Sequence, residues 1–309
     1  SGPVTHRGPR HGTRAVVGAL ALLLILSACS SSDGGKVAST TTGRAGSSTT
    51  TVQAGTSPCA GTAGVGGPVP KGLGPGDLVA ATDLTSASAS SPGFPTGARV
   101  WRILYVTIGV DEDHLQLVCG TVAAPTAGPE RFGSSGRLLD WTHGTVGLEQ
   151  TCLPSSDPAK MLWGKMPGGI NAIAWGTLAG KHEGKAYGGL LQYAMDEGMV
   201  VTATDYAPDD TYVVGTMEAA AALDAGRAGT QLMERTFPDS APSAYDLFVW
   251  GHSQGGHAAL WAAQLAETYL AAASPSRPTS TLTLVGVAAM APASNFITQP
   301  DQAGVQPGD

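Results

Sequence analysis

The stretch VWGHSQGGH at residues 249–257 decides the fold, because it places the pattern Gly-x-Ser-x-Gly between two segments of different character. Residues 245–250 are apolar and aromatic, which is typical of a buried strand. Residues 258–273 are rich in Ala and Leu and contain neither Gly nor Pro, which favours a helix. A strand, a sharp turn with Ser253 at its tip and a helix form a nucleophile elbow, which exposes a serine hydroxyl to a base and to a substrate carbonyl.

The glycines of this stretch have a steric role in the same interpretation. Gly251 and Gly255 are expected where the strand and the helix pass too close for a side chain, and Gly256 lets the helix start lie against the sheet. The pattern alone is weak in a chain with 43 glycines, so its weight comes from the flanking strand and helix. The alternative is a Gly-rich turn between a strand and a helix with an incidental serine.

The order of predicted elements indicates an α/β protein. Strands are predicted at residues 100–108, 115–124, 137–142, 199–204, 245–250 and 281–289, and helices at 187–197, 217–236 and 258–273. The first two strands flank a polar turn at residues 111–114 and are expected to form an antiparallel hairpin. The later alternation predicts a mostly parallel sheet with helices on both faces. An antiparallel hairpin that leads into such a sheet, with the elbow after the fifth strand, is the α/β-hydrolase layout.

Three segments carry a family resemblance. WTHGTVGL at residues 141–148, ATDY at 203–206 and GHSQGGHAAL at 251–260 resemble the secretory lipase family of α/β-hydrolases, in the family's order. The resemblance extends from about residue 75 to residue 292. It implies the α/β-hydrolase fold, carboxylic-ester hydrolysis on lipids or other acyl esters, a Ser, Asp and His triad, and no cofactor.

Ser253 is the predicted nucleophile, which requires a histidine base within hydrogen-bond reach. The tetrahedral intermediate carries an oxyanion that preorganised N–H groups must bind. One donor is expected to be the backbone N–H of Gln254, the residue after the nucleophile. The second is expected from the loop after the third strand, where we assign Thr145, with Gly144 as the near alternative. The alternative for this loop is an ordinary strand-ending turn.

Other polar residues near these motifs receive supporting roles. His257 lies one turn into the helix and is expected to pack or to form hydrogen bonds there rather than act as the base. His252 is expected to order the turn, and His143 to brace the oxyanion loop. Asp205 precedes Ser253, whereas the acid of this fold follows the serine, so it is interpreted as structural.

The triad cannot be completed from the sequence. No histidine follows His257, and the only acids after Ser253 are Glu267, Asp301 and Asp309. The order in this fold is Ser, then Asp or Glu, then His. We therefore expect a fragment of a longer protein, cut at its C-terminus, that lacks the lid as well as the acid and the base. Such a chain is expected to lack efficient turnover.

The N-terminus predicts export. Three arginines precede the apolar run at residues 15–26, which is too short to span a bilayer comfortably. The following LSAC sequence resembles the lipobox of bacterial lipoproteins, which would make Cys29 the lipid-bearing mature N-terminus on the outer side of the cytoplasmic membrane. The alternative is an ordinary signal peptide and a secreted protein. Residues 1–29 are thus the signal, 30–57 a Ser/Thr/Gly-rich disordered tether, and 58–309 the hydrolase domain.

Composition limits the remaining partners. A net charge of −7 argues against nucleic acid. Cys59, Cys119 and Cys152 remain after Cys29, an odd number whose pairing the sequence leaves open. No C-x-x-C pair, metal-spaced His/Cys cluster or H-E-x-x-H occurs, so no metal is expected.

Two other functions fit the same features. An acyltransferase acting on envelope lipids would use the same serine and oxyanion loop. A hydrolase-shaped binding lipoprotein would have lost the triad.

Overall fold

A computed structural model gives the architecture of the chain. It describes residues 59, 65–85, 97–109, 114–146, 153–156, 158, 181–182, 185–186, 190–206, 212–272 and 280–294. The strands are β1 (Leu78–Asp83), β2 (Ala98–Ile108), β3 (Leu115–Pro125), β4 (Arg131–Phe132), β5 (Ser135–Thr142), β6 (Lys181–His182), β7 (Lys185–Ala186), β8 (Val200–Thr204), β9 (Ala244–His252) and β10 (Thr281–Met290). The helices are α1 (Leu190–Asp196), α2 (Gly215–Thr236) and α3 (Gln254–Ala271).

One mixed sheet organises the molecule, with the strand order β1-β2-β3-β8-β5-β9-β10 and β4 paired to β5. The strands β1, β2, β3 and β8 pair antiparallel in succession. The strands β8, β5, β9 and β10 are parallel. Parallel neighbours need crossover connections, and α2 and α3 supply those that lead into β9 and β10. This is the α/β-hydrolase fold that the sequence predicts.

Helices cover both faces of the sheet, as predicted. Side chains alternate along β5, so Leu138 packs in a core cluster with α2 and α3, whereas Leu139 and Trp141 pack in a second cluster with α1. Full burial of each such large apolar side chain contributes about 1.5–3 kcal/mol. The two clusters fix the orientation of the sheet between the helices.

The six predicted strands and the three predicted helices are present, with shifted ends. Strand β1 was not predicted, because its short sequence LVAATD is barely periodic and its pairing with β2 is interrupted by a register shift between Leu78 and Ala80. Helix α3 begins at Gln254 and not at residue 258, since the two glycines of its first turn fit the tight space beside the sheet. Helix α1 spans residues 190–196 of the predicted 187–197, and residues 187–189 lie outside the described part.

A disulfide joins Cys59 to Cys119 in β3, a pairing that the sequence left open. Cys152, the signal at residues 1–29 with Cys29, and the tether at 30–57 lie outside the described residues. Within the described part, no helix is long and apolar enough to cross a membrane.

Candidate active site

Backbone strain collects at one edge of the sheet. Among the described residues, the non-glycines with positive φ are Tyr206, Val213, Ser253 and Ala291. Tyr206, Ser253 and Ala291 lie just beyond the carboxyl ends of the parallel strands β8, β9 and β10. Val213 lies just before the start of α2. Carboxyl ends of parallel strands form the usual binding edge of such sheets, and strained residues concentrate at functional sites. This edge is therefore the candidate active site.

Ser253 occupies the turn between β9 and α3, half-buried, with φ 56° and ψ −117°. Its backbone N–H donates to the Met290 carbonyl at 2.9 Å, and its carbonyl accepts from the His257 N–H at 3.0 Å. The strained serine is thus held from two sides, by the end of β10 and by the first turn of α3.

Neighbouring backbone surrounds the glycines of the turn. A Cβ on Gly251 would overlap the Gly255 carbonyl and the Thr142 hydroxyl, and a Cβ on Gly255 would overlap the Thr142 carbonyl. A Cβ on Gly256 would lie 2.7 Å from the Met290 carbonyl oxygen. The elbow is therefore wedged between the ends of β5 and β10, where no side chain fits.

The loop after β5 lies against this elbow. The Thr142 hydroxyl donates to the Gly255 carbonyl at 2.8 Å. His143 is buried, and its Nδ1 lies 2.7 Å from the Gly144 carbonyl oxygen. Because a carbonyl only accepts, Nδ1 carries the proton; burial lowers the pKa of His143 to about 4, so the ring is neutral at pH 7. The Tyr206 hydroxyl donates to the His143 carbonyl at 2.9 Å.

The two residues assigned as alternative oxyanion donors differ in their surroundings. Gly144 is buried, with its carbonyl bound to the His143 ring. Thr145 is half-buried, and its Oγ1 lies 3.4 Å from the Tyr212 hydroxyl. In a trans peptide the C=O and N–H bonds point in opposite directions, so the Thr145 N–H points away from the Gly144–His143 contact.

A buried acid joins the first turns of α2 and α3. Glu218 is fully buried, and its carboxylate accepts from the side-chain amide of Gln254 at 2.8 Å and from the backbone N–H of Val213 at 2.9 Å. His257 Nδ1 lies 3.0 Å from the same carboxylate, and the Trp261 indole donates to His257 Nε2 at 3.0 Å. His257 is thus a hydrogen-bonded helix residue, as expected. Sequence reasoning missed Glu218, whose only signal is an acidic residue in the first turn of an Ala-rich helix.

Asp205 forms a separate contact at the end of β8. Its buried carboxylate accepts from the Ser155 N–H at 2.8 Å and from the Ser155 hydroxyl. Burial raises the pKa of Asp205 to about 7, although these hydrogen bonds oppose the shift. The carboxylate holds the segment at residues 153–156, which agrees with a structural role.

His252 is the remaining residue with a predicted supporting role. His252 is half-buried at the end of β9, and burial lowers the pKa of its ring. No group of three His, Cys, Asp or Glu side chains that could hold a metal occurs within the described part of the chain.

Fold and site together define an α/β-hydrolase-fold protein with a strained serine at its elbow. The family model described as "Secretory lipase" matches residues 187–302, which include α1 through β10 and the elbow. No curated protein sequence matches the chain.

Solved structures that are similar to the chain at low identity include the following two. Lipase A of Candida antarctica, in its closed state, is 19% identical, with a TM-score of 0.46 over 70% of this chain and 42% of that one. The rice cell wall degrading esterase LipA of Xanthomonas oryzae is 24% identical, with a TM-score of 0.43 over 68% of this chain and 49% of that one. The chain therefore spans less than half the length of either protein.

Proposed function

We propose that this chain is the nucleophile-bearing part of a serine carboxylic-ester hydrolase. The observation that carries the proposal is Ser253 itself, held at φ 56° at the tip of a strand–turn–helix beside the loop after β5. In the proposed reaction a base removes the Ser253 Oγ proton while Oγ attacks the ester carbonyl carbon. The tetrahedral intermediate collapses, the alcohol leaves with that proton, and water then hydrolyses the acyl-enzyme.

The oxyanion hole is proposed to combine the backbone N–H groups of Gln254 and Thr145. Gln254 is the first residue of α3, where N–H groups have no acceptor within the helix and the dipole favours negative charge. Thr145 is preferred to Gly144 because the His143–Gly144 contact turns the Thr145 N–H outward. Each donor of this kind contributes about 10²–10³-fold to kcat.

The acid and the base are proposed to lie outside residues 1–309. His257 is engaged by Glu218 and Trp261, and His143 is neutral and bound to Gly144. The sequence contains no histidine after His257, although the catalytic base of this fold follows the nucleophilic serine. We accordingly propose that residues 1–309 alone hydrolyse esters inefficiently.

Substrate class and location are proposed on two separate grounds. Lipids or other acyl esters are the proposed substrates, since the matching family model describes secretory lipases. Export through the signal at residues 1–29, with Cys29 as the lipid anchor and 30–57 as the tether, would place the domain at 58–309 outside the cytoplasmic membrane. Secretion without an anchor is the alternative.

A covalent probe tests the proposal. The complete gene product is treated with a fluorophosphonate and assayed on a short-chain aryl ester. We expect labelling and turnover that Ser253→Ala abolishes, whereas replacement of the exposed Ser240 by Ala preserves both. Labelling that survives Ser253→Ala would refute the assignment. An added alcohol acceptor separates hydrolysis from acyl transfer, because a transferase would form the new ester in preference to the free acid.

A further inference from the structure

The Glu218 carboxylate lies between the first turns of two helices, α2 and α3. Its side chain is 0% exposed. It belongs to the first turn of α2, and two of its partners, Gln254 and His257, belong to the first turn of α3. Helix N-termini favour a negative charge, which offsets part of the cost of burying the carboxylate.

Every partner of this carboxylate among the described residues is a donor. The Trp261 indole can only donate, so His257 Nε2 accepts and His257 Nδ1 carries the ring proton. Nδ1 therefore donates to Glu218, as do the Gln254 side-chain amide and the Val213 N–H. Burial raises the pKa of Glu218, and these three hydrogen bonds oppose the rise. The three donors thus require a side chain with two oxygens that both accept hydrogen bonds.

Two of these donors, Gln254 and Val213, belong to segments that would position the proposed oxyanion hole. Gln254 carries the first oxyanion donor on its own backbone. Val213 has φ 54°, which is strained for a β-branched residue, and it follows Tyr212, whose hydroxyl lies 3.4 Å from Thr145 Oγ1. The Glu218 carboxylate therefore touches one donor residue directly and holds the segment that contacts the other.

We infer that Glu218 is a positioning residue of the oxyanion hole, which fixes Gln254 through its side chain and Thr145 through Val213 and Tyr212. The inference rests on the proposed function. Glu218 would contact neither the substrate nor the reacting atoms. Its loss would free the first turn of α3 and let the strained Val213 relax, so that both N–H donors move from the geometry that the oxyanion requires.

Glu218→Gln in the complete gene product tests this most simply. The amide keeps the volume but replaces one acceptor by a donor, so at least one donor faces another donor. We expect kcat on an aryl ester to fall about 10- to 100-fold, because small misplacements at a reacting centre have effects of this size, while KM changes less than about threefold. Glu218→Asp retains two acceptors and should keep more activity than the Gln variant.

Asp224→Asn is the matched control. Asp224 is also 0% exposed and on α2, and it accepts from Thr107, Tyr269 and Arg227, away from the elbow. Its replacement should lower the thermal midpoint but leave kcat within about threefold of the wild type. A purely structural role for Glu218 predicts the same behaviour for both variants, and that result would overturn the inference.

Gln254→Met removes the hydrogen bond between Gln254 and Glu218 by changing its donor. This variant tests the inference even if Glu218→Gln fails to fold. Its kcat should fall in the same way, and the double variant should be no slower than the slower single variant, since the Gln254 side chain acts only through its hydrogen bond to Glu218. Unchanged kcat in Gln254→Met would overturn the inference. If the wild type itself neither labels nor turns over, the proposed function fails and the inference with it; an active wild type with an equally fast Glu218→Gln refutes the inference alone.

Discussion

Replacement of Gly255 by Ala should destabilise the protein and displace the loop after β5. The added Cβ would overlap the Thr142 carbonyl and lie 2.7 Å from the His143 carbonyl oxygen, where ordinary contact begins at 3.4 Å. Both obstacles are backbone atoms, so the end of β5 has to move. Overpacking costs about 1–3 kcal/mol, and two backbone clashes favour the upper end of that range. A helical Gly→Ala change returns about 1 kcal/mol, which leaves a net loss of about 2 kcal/mol.

Thermal and urea unfolding measure this loss. A change of about 2 kcal/mol lowers the thermal midpoint of a domain of this size by about 4–8 °C. In the complete gene product, kcat should also fall at least about tenfold, because Gly144 and Thr145 follow the displaced residues. Gly226→Ala is the control: it makes the same change inside α2, where the Cβ meets only the ends of leucine side chains, the nearest at 3.0 Å. Equal stability of the two variants would refute the tight packing deduced for the elbow.

Three further predictions concern stability. Ser253→Gly should be more stable than Ser253→Ala by about 1 kcal/mol in urea unfolding, because only glycine relieves the positive φ; equal stability would contradict the strain. Burial raises the pKa of Asp140 to about 8, well above the unfolded value near 4, so wild-type stability should fall as the pH rises between these values. Asp140→Asn should therefore be the more stable protein at pH 8, by more than about 2 kcal/mol, and lose this advantage near pH 4; a pH-independent difference would refute the assignment. Replacement of both Cys59 and Cys119 by Ser should cost about 2–4 kcal/mol in the same assay, since the disulfide closes a loop with a sequence separation of 60; no loss would exclude a stabilising role.

Local pattern was enough to predict most of the fold. The strand before Ser253, the turn and the Ala-rich helix have sequences that are typical of those conformations, and the short-range hydrophobic pattern predicted the remaining parallel strands. Strand β1 escaped because its pairing depends on β2 and on a register shift that the sequence LVAATD does not reveal. The start of α3 was misplaced because glycines usually end helices, whereas here close packing against β5 requires them.

Candidate site residues could be proposed from the sequence only where one short segment carries them. Ser253, Gln254 and Thr145 lie in recognisable motifs. Glu218 lies 36 residues from Gln254, and their contact depends on how α2 packs against α3, which no sequence pattern encodes. The same holds for the contact of Asp205 with Ser155, 50 residues apart, and for the choice of cysteine partner. Such long-range side-chain contacts depend on tertiary packing, which the local sequence pattern does not specify.

The central claim is that Ser253 attacks an acyl carbon while the Gln254 and Thr145 N–H groups bind the resulting oxyanion. A crystal structure of the complete gene product after reaction with a phosphonate tests it most directly. The account predicts phosphorus bonded to Ser253 Oγ and a phosphonyl oxygen about 2.7–3.1 Å from both backbone nitrogens. A phosphonyl oxygen that faces solvent, or phosphorus bonded to another residue, would contradict it.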